Sequence, residues 1–228
     1  MELVRRADDA RVHALATPLM TKADGTKFGK TEGGAIWLDP ALTSPYAFHQ
    51  FFLNAEDAKV VEYLKVFTTR SQAEIEELDR QTREQPHLRA AQKALADDVT
   101  ALVHSAAERD AAVAAAAALF GRADLRELPA SVLTGVAAEL GATELTAAHG
   151  LPSVVEVLER SGVVASKGAA RRAIAEGGAY INNAKVGDVD AVLSPDDLLD
   201  GRLVIARRGK RTVGAVTVRR DGGHVDVV

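Results

Sequence analysis

Residues 17–54 read "TPLMTKADGTKFGKTEGGAIWLDPALTSPYAFHQFFLN", and two features within them organise the rest of the chain. The first is a loop, residues 21–34, in which lysines alternate with glycines and threonines. Glycine permits left-handed and crowded backbone conformations, and lysine carries a mobile positive charge. Such a loop can close over an anion, phosphate above all, although a solvated surface loop uses the same residue types. The second feature is a helix start, where Ser44 is a good N-cap and Pro45 takes the first helical position.

Helical patterning dominates from residue 41 to about residue 120. "AEDAKVVEYLKVFT" has its apolar residues at the spacing of one helix face, and Ser71 with Glu74 forms a capping box before the next helix. Residues 87–120 are an alanine-rich helical stretch with a break near Ser105. On the other side of the loop, "VHALATPL" at residues 12–19 predicts a short strand. Residues 121–150 predict one or two short helices and then a linker, with a domain boundary between about 135 and 150.

The pattern changes after residue 150. Ser153 and Ser166 are candidate caps of two short helices, "PSVVEVLERSG" and "SKGAARRAIAEGG". Short β segments follow, namely "AYIN", "KVG", "LVIARR", "TVGAVTV" and "HVDVV". The sequence therefore predicts a mainly α-helical domain followed by a small, compact α+β module.

Composition favours an ordinary globular protein and excludes several kinds of site. Of 228 residues, 47% are hydrophobic and 26% charged, and none is cysteine, which excludes disulfides, thiolate chemistry and cysteine-ligated zinc. The six histidines lie far apart and form no metal-ligand spacing, so we predict no metal site. No apolar run approaches the roughly 20 residues of a membrane helix. The start "MELVRRADDA" lacks the layout of a signal peptide, so we expect a cytoplasmic protein without membrane contact.

Two lysines within "KFGKT" are the candidates for binding a polyphosphate. Lys27 and Lys30 are separated by one bulky and one tiny residue, so both ammonium groups can reach one ligand. An ordinary basic loop is the alternative. "GTKFGKT" ends like a Walker A loop, but its first glycine is one residue too close to "GKT" and no helix follows. We therefore reject a Walker A site.

A second cluster of positive charge lies on a predicted helix of the C-terminal module. Lys167 and Arg171 are four residues apart and share a helix face, with Arg172 beside them. The net charge is −6 over residues 1–150 and +2 over residues 151–228. Such a trio is either a solvated helix face or part of a nucleic-acid site, and its bunching creates a local field that attracts anions.

The loop and its flanks resemble a known family. "KFGKT" is similar to the KMSKS signature of class I aminoacyl-tRNA synthetases, in the form typical of bacterial tyrosyl-tRNA synthetases. The flanks over residues 17–54, "RAAQKALADDVTALVH", "GAYINNAKVGD" and "RRGKR" extend the resemblance over essentially the entire chain. The resemblance implies a remnant of a Rossmann-like catalytic domain with the signature loop at 1–40, a helical anticodon-binding domain at 41–140 and a small α+β RNA-binding domain at 150–228.

The resemblance also implies a reaction and roles for loop residues. Enzymes of this family activate tyrosine with ATP, with magnesium, and pass the tyrosyl group to tRNA. By analogy Lys27 and Lys30 bind the ATP phosphates and stabilise the leaving β- and γ-phosphates, while Thr31 donates a hydrogen bond. Gly25 and Gly29 let the loop close and reopen. Lys22 is expected to be solvated.

The C-terminal module resembles a small RNA-binding domain first seen in a small-subunit ribosomal protein. This implies that Lys167, Arg171, Arg172 and Lys185 contact structured RNA. The cluster around "ARRGKR" either extends that surface or is a hairpin tip that only improves solubility; its basic residues are Arg207, Arg208, Lys210 and Arg211. The aromatic residues of the helical region are predicted to be core and not stacking platforms; they include Trp37, Phe48, Phe51, Phe52, Tyr63 and Phe67.

Three hypotheses about function follow. The leading one is the C-terminal, tRNA-binding portion of a tyrosine–tRNA ligase, inactive alone because the ATP and tyrosine pockets and most of the dimer interface lie in a half that is absent from this chain. We expect this chain to be a monomer, whereas the full-length enzyme is expected to be a homodimer. The second is a stand-alone structured-RNA-binding module without catalysis, which has no reason to keep "KFGKT" and its flanks. The third is a fragment with no independent role.

Overall fold

The computed structural model describes residues 2–31, 34–120, 124–147, 150–210 and 212–220, and the statements below refer to them. Its helices are α1 (Glu2–Asp8), α2 (Pro45–Leu53), α3 (Asp57–Phe67), α4 (Gln72–Glu84), α5 (Ala90–Val103), α6 (Ala106–Leu119), α7 (Ala130–Glu139), α8 (Val154–Arg160) and α9 (Lys167–Ala175). Its strands are β1 (Lys30–Thr31), β2 (Gly34–Ala35), β3 (Thr143–Ala147), β4 (Ala179–Ile181), β5 (Ala184–Lys185), β6 (Leu203–Arg208) and β7 (Thr212–Arg220). No helix among these residues is long and apolar enough to cross a membrane.

The helix starts follow from local capping chemistry. The Ser44 side chain accepts a hydrogen bond from the Ala47 N–H at the start of α2, and Pro45 is the first helical residue. Ser71 and Glu74 form both hydrogen bonds of the predicted capping box of α4. Ser105 caps α6, so the predicted break in the alanine-rich stretch separates α5 from α6. Each cap satisfies backbone N–H groups that the first helical turn leaves without partners, which explains why these helices begin where the sequence predicts.

The N-terminal helices share an aromatic core. Phe48 and Phe52 of α2 and Tyr63 of α3 are buried and pack against Leu95 and Val99 of α5. The small alanines of α5 let its backbone approach α2 closely, and Ala91 and Ala96 are fully buried. This core holds the segment that carries the lysine–glycine loop.

The C-terminal sheet lies between two layers of helices. Its strand order is β3-β7-β6-β4-β5, with β3 parallel to β7 and the other neighbours antiparallel. Val204 and Ala206 face α8 and α9, whereas Leu203 and Ile205 pack against α6 and α7. Gly214 is required by close packing, because a Cβ there would lie 2.2 Å from the Ser161 carbonyl oxygen. The fold is therefore a helical part followed by a small mixed sheet with its own two helices, as predicted.

Two predicted elements are wrong. Residues 12–19 form no strand, and Leu15 and Leu19 are 94% and 66% exposed. A strand needs a hydrogen-bonded neighbour, and no described residue pairs with this segment. Residues 143–147, predicted to lie in a linker, instead form β3, in which Leu145 is buried against the core. The partner strand β7 lies about 70 residues further along the chain, so no local pattern announces this pairing.

Trp37 also departs from prediction, because it is 51% exposed and not part of the core. It lies in the irregular segment between β2 and α2, where its backbone N–H donates to Thr43 Oγ1. The predicted strand "HVDVV" and the side chain of Arg211 lie outside the described residues.

Candidate functional site

The loop begins as a tight hairpin. Thr21 and Lys27 form an antiparallel bridge, and the Lys22 N–H donates to the Thr26 carbonyl at 2.8 Å. Gly25 sits in the turn with φ of +81°, a conformation that favours glycine over residues with a Cβ. The hairpin forms because a short turn containing glycine brings the two extended segments on either side of it together.

A carboxylate stabilises the tip of this hairpin. Asp24 accepts hydrogen bonds from the Thr26 N–H at 2.9 Å and the Thr26 hydroxyl at 2.6 Å. These bonds, with a smaller contribution from Lys22, lower the pKa of Asp24. The tip therefore carries a negative charge beside the lysines, so the loop is less uniformly positive than its lysines alone indicate.

Phe28 connects the loop to the helical core. Its ring lies 4.4 Å from that of Tyr63, 5.2 Å from Phe51 and 5.6 Å from Phe67, measured between centroids. Aromatic pairs of this kind contribute about 0.5–1.5 kcal/mol each beyond the area that they bury. Because Phe28 points into the helices, its neighbour Lys27 is left exposed to solvent.

Two hydrogen bonds support the same attachment. The Tyr63 hydroxyl donates to the Thr21 carbonyl at 2.9 Å, and the Ala23 N–H donates to Glu56 Oε2 at 2.7 Å. Burial, assisted by nearby carboxylates, raises the pKa of Tyr63 to about 12. The phenol therefore remains a donor throughout the neutral range, and the base of the hairpin is fixed to α3.

The predicted catalytic residues occupy the second half of the loop. Gly29 has φ of +81°, and Lys30 and Thr31 form β1, paired with Gly34 and Ala35. The side chains of Lys30 and Thr31 lie outside the described residues, so their positions relative to Lys27 rest on the sequence.

A cleft of about 1030 Å³ opens between the loop and helices α2, α6 and α7. Lys22 lines it and is half-buried, in contrast to the solvated position expected from the sequence. Glu108 and Glu139 also line it, and burial, with the charge of Glu139, raises the pKa of Tyr46 to about 12. Because acidic side chains outnumber lysines among the described residues that line it, this part of the cleft disfavours a polyphosphate.

The predicted basic trio shares the outer surface of α9. Lys167, Arg171 and Arg172 are all exposed, whereas Ala170, Ala173 and Ile174 of the same helix are buried. Ser166 caps the helix by accepting a hydrogen bond from the Ala169 N–H at 3.2 Å. The structure therefore brings these three cations together on one accessible surface.

Lys185 belongs to a different surface from the trio. It pairs with Tyr180 across β5 and β4, and Tyr180 pairs with Arg207 across β4 and β6. Ala179 and Ile181 face α8 and α9, so the alternation of a strand directs Tyr180 and its partners to the other side of the sheet. Sequence reasoning missed Tyr180 here, and Phe28 in the loop, although the alternation in "AYI" was a usable signal.

The part of the chain that the structure describes contains no cluster of side chains that could hold a metal ion by itself. No group of three or more histidine, aspartate or glutamate side chains among the described residues can do so. The buried His49 is hydrogen-bonded through Nε2 to Asp97 Oδ1 at 2.8 Å, and the His104 ring packs edge-on against Phe48. These two histidines are parts of the helical core, and magnesium prefers oxygen ligands to imidazole nitrogens.

Two families match successive parts of the chain. The family described as tRNA synthetases class I (W and Y) matches residues 1–121, and the Tyrosine--tRNA ligase SYY-like C-terminal domain matches residues 136–215. The chain is 56% identical over 216 residues to a tyrosine–tRNA ligase of Cutibacterium acnes, covering 95% of this chain and 51% of that protein. It is 57% identical over 219 residues to the corresponding protein of Kineococcus radiotolerans, with coverages of 95% and 51%.

Among solved structures, a C-terminally truncated mitochondrial tyrosyl-tRNA synthetase of Coccidioides posadasii is 36% identical, with a TM-score of 0.38. That match covers 43% of this chain and 25% of the other. The chain spans about half the length of the curated relatives that it matches.

Proposed function

Because the chain belongs to the class I tRNA synthetase family of the W and Y type, we propose that it is the C-terminal, tRNA-binding portion of a tyrosine–tRNA ligase. The observation that carries this proposal is the order of two features in one chain. The "KFGKT" loop lies within residues 1–121, and the SYY-like C-terminal domain follows at 136–215. The second match favours tyrosine over tryptophan as the amino acid.

In this function the loop neutralises charge on the phosphates of ATP. Phe28 and Tyr63 hold the hairpin on the helices, which leaves the Lys27 ammonium exposed for a ligand. Lys27 and Lys30 stabilise the pyrophosphate that leaves when the carboxylate of tyrosine attacks the α-phosphate. Thr31 donates a hydrogen bond to the same group. The positive φ of Gly25 and Gly29 gives the loop two flexible points for closing over the nucleotide.

The chain alone does not catalyse this reaction in our proposal. Two lysines on a loop supply charge, but they do not bind adenine or tyrosine or align the reacting groups. Those pockets lie in the part of the relatives that this chain does not cover. Residues 1–40 then correspond to the end of the Rossmann-like catalytic domain, 41–140 to the anticodon-binding domain and 150–228 to the RNA-binding domain. In this proposal the chain works in the cytoplasm, and the complete enzyme is a homodimer.

Binding to tRNA tests the proposal directly. The purified chain is titrated with a tyrosine tRNA transcript and with a tRNA that has a short variable arm, at low and high salt. We expect selective binding to the first, and an affinity that falls steeply with salt because the exposed cations of α9, Lys167, Arg171 and Arg172, release counterions from phosphates. Equal, weak binding to both transcripts contradicts the proposal.

A test of the role of the loop requires the whole enzyme. We would join the chain to the catalytic half of the Kineococcus radiotolerans relative and measure tyrosine-dependent ATP–pyrophosphate exchange. Substituting Lys27 and Lys30 by alanine is expected to abolish exchange and to leave tRNA binding intact, whereas the control Lys65→Ala on α3 keeps both. Normal exchange in the double variant refutes the assigned role, and measurable exchange by the unjoined chain refutes its inactivity.

A stand-alone RNA-binding module is the second candidate. The observation that favours it is the separate core that α8 and α9 form with the sheet, including Val157, Leu158 and Ile174. This candidate gains support if the chain binds both transcripts equally and if the joined enzyme shows no exchange.

A further inference from the structure

Three side chains stand in a row across the C-terminal sheet, on the side opposite α9. Lys185 on β5, Tyr180 on β4 and Arg207 on β6 are direct cross-strand partners. Ile205, two residues before Arg207 on the same side, is buried against the helical part. Tyr180 and Arg207 are only half-buried, and Lys185 is exposed. These three side chains therefore lie just beyond the part of the sheet that the helices bury. We call Lys185, Tyr180 and Arg207 the Tyr180 row.

The central pair of this row is a contact between the Arg207 guanidinium and the Tyr180 ring. The guanidinium carbon of Arg207 lies 4.0 Å from the centre of the Tyr180 ring, within the range of a cation–π interaction. Arg207 Nη1 donates to the Gly209 carbonyl at 2.5 Å, which fixes the guanidinium, while its Nε has no hydrogen-bond partner among the described residues. Two flat groups held in this way offer a surface on which a base can stack.

Positive charge lies beside this pair. Lys210 is exposed at the turn between β6 and β7, next to the strand end that carries Arg207, whereas Arg208 pairs with Ala179 on the other side of the sheet. The Lys185 side chain lies over Gly177, where a Cβ would come within 2.6 Å of Nζ. The φ of +70° at Gly177 is what favours glycine there, and the absence of a Cβ leaves room for the end of the lysine. Aromatic surface with flanking cations is the combination that binds unpaired nucleotides, through base stacking and phosphate contacts.

We propose that the Tyr180 row binds an unpaired nucleotide of the RNA partner, with the base stacked on the Tyr180–Arg207 pair and a neighbouring phosphate held by Lys185. The inference rests on the proposed function for the identity of the RNA, and it adds a second contact surface, on the opposite side of the sheet from Lys167 and Arg171. The surface on α9 supplies charge alone, whereas the Tyr180 row distinguishes an unpaired base from a duplex.

The test separates stacking from charge. We would measure the affinity of the full chain for the tyrosine tRNA transcript over a range of salt concentrations. Tyr180→Leu is expected to weaken binding about tenfold without changing the salt dependence, because stacking of one base is lost. Tyr180→Phe keeps the ring and is expected to bind like the unsubstituted chain. Lys185→Gln lowers the slope of log affinity against log salt by about 1.

Further variants separate the loss of stacking from misfolding and from a general change in charge. Arg207→Lys keeps the charge but loses the planar group, so it is expected to resemble Tyr180→Leu. Arg219→Lys is the matched control, because Arg219 is exposed near the far end of β7, beside Glu144. Thermal unfolding verifies that each variant is folded. Chemical probing of the bound tRNA is expected to show one unpaired base that the chain protects and that becomes reactive with Tyr180→Leu.

The outcomes for this inference and for the proposed function are distinguishable. If Tyr180→Leu and Arg207→Lys bind tyrosine tRNA as tightly as the unsubstituted chain does, the proposal for the Tyr180 row is overturned. This holds even when binding remains selective for tyrosine tRNA. Loss of affinity in both variants, together with equal binding of the two transcripts, supports the row and contradicts the proposed function. Absence of RNA binding by the unsubstituted chain overturns both.

Discussion

Phe28 shows how one residue between two lysines sets the geometry of the loop. The sequence marks it only as a bulky spacer, yet its ring contacts four aromatic side chains of α2 and α3, from Phe51, Phe52, Tyr63 and Phe67. Together with the hydrogen bonds from Tyr63 to Thr21 and from Ala23 to Glu56, this contact attaches the first half of the loop to the helices. The attachment gives Lys27 a fixed base.

Phe28→Ala tests this attachment. Because Phe28 is only half-buried, we expect a loss of about 2 kcal/mol in the free energy of unfolding, below the 3–5 kcal/mol typical of a fully buried phenylalanine. Urea titration measures the loss. We also expect faster trypsin cleavage after Lys22 and Lys27 in the folded chain. Cleavage at the rate of the unsubstituted chain would show that the hairpin is held without Phe28.

The two tyrosines with raised pKa predict a response to alkaline pH. Burial raises the pKa of both Tyr46 and Tyr63 from 10 to about 12. Between these values the unfolded chain loses the phenolic protons while the folded chain retains them. The contribution of the two protonated tyrosines to the free energy of unfolding is therefore fully present below pH 10. It falls as the pH rises toward 12. Urea titrations at pH 9 and pH 11 are expected to show a smaller decline for a Tyr46→Phe, Tyr63→Phe double variant, and an equal decline would contradict the shifts.

At the scale of elements, local chemistry was predictable and distant pairing was not. Ser44, Ser71, Ser153 and Ser166 each cap the helix that the sequence assigns to them, because a cap depends on residues within one turn. β3 was missed because its hydrogen bonds go to β7, far along the chain. The predicted strand at 12–19 failed for the converse reason, since its apolar pattern has no partner among the described residues.

The same reasoning explains what could be predicted of the sites. The lysines of the loop and the trio on α9 are close in sequence, so spacing alone groups them. The Tyr180 row joins β5, β4 and β6, and its members meet only through strand register. Register depends on which face of the sheet is buried, and this requires knowledge of the helices on both sides.

Ser166→Ala tests the cap of the helix that carries the basic trio. Loss of the hydrogen bond to the Ala169 N–H is expected to cost about 1 kcal/mol of unfolding free energy. It also frays the turn that contains Lys167, so binding of tyrosine tRNA weakens by a smaller amount than on removal of the charge itself. Ser166→Asp restores the cap and is expected to restore stability. Ser131→Ala, at an exposed serine of α7, serves as the control.

For the whole molecule, the important feature is a core that the helical part and the C-terminal module share. Leu119, Leu133 and Val136 of α6 and α7 pack with Leu203 and Ile205 of β6. Hydrogen bonds also cross this boundary, from Asn183 Nδ2 to the Ala118 carbonyl at 2.6 Å, from Arg126 to the Asp196 carbonyl at 3.3 Å and from Arg202 to Thr134 Oγ1 at 3.4 Å. The two parts that we propose to contact tRNA are therefore held in a fixed relation by apolar burial.

Ile205→Ala tests whether this shared core makes unfolding cooperative. Ile205 is 1% exposed, and truncation of a buried isoleucine costs about 2–5 kcal/mol. If the two parts unfold together, amide exchange accelerates in α6 and α7 as much as in β6, and circular dichroism shows a single transition. Leu102→Ala, at a leucine that is 71% exposed, is the matched control and is expected to change stability by less than about 0.5 kcal/mol. Faster exchange confined to the sheet would mean that the helical part keeps its structure without the module, and the fixed relation of the two tRNA-contacting parts would then not hold.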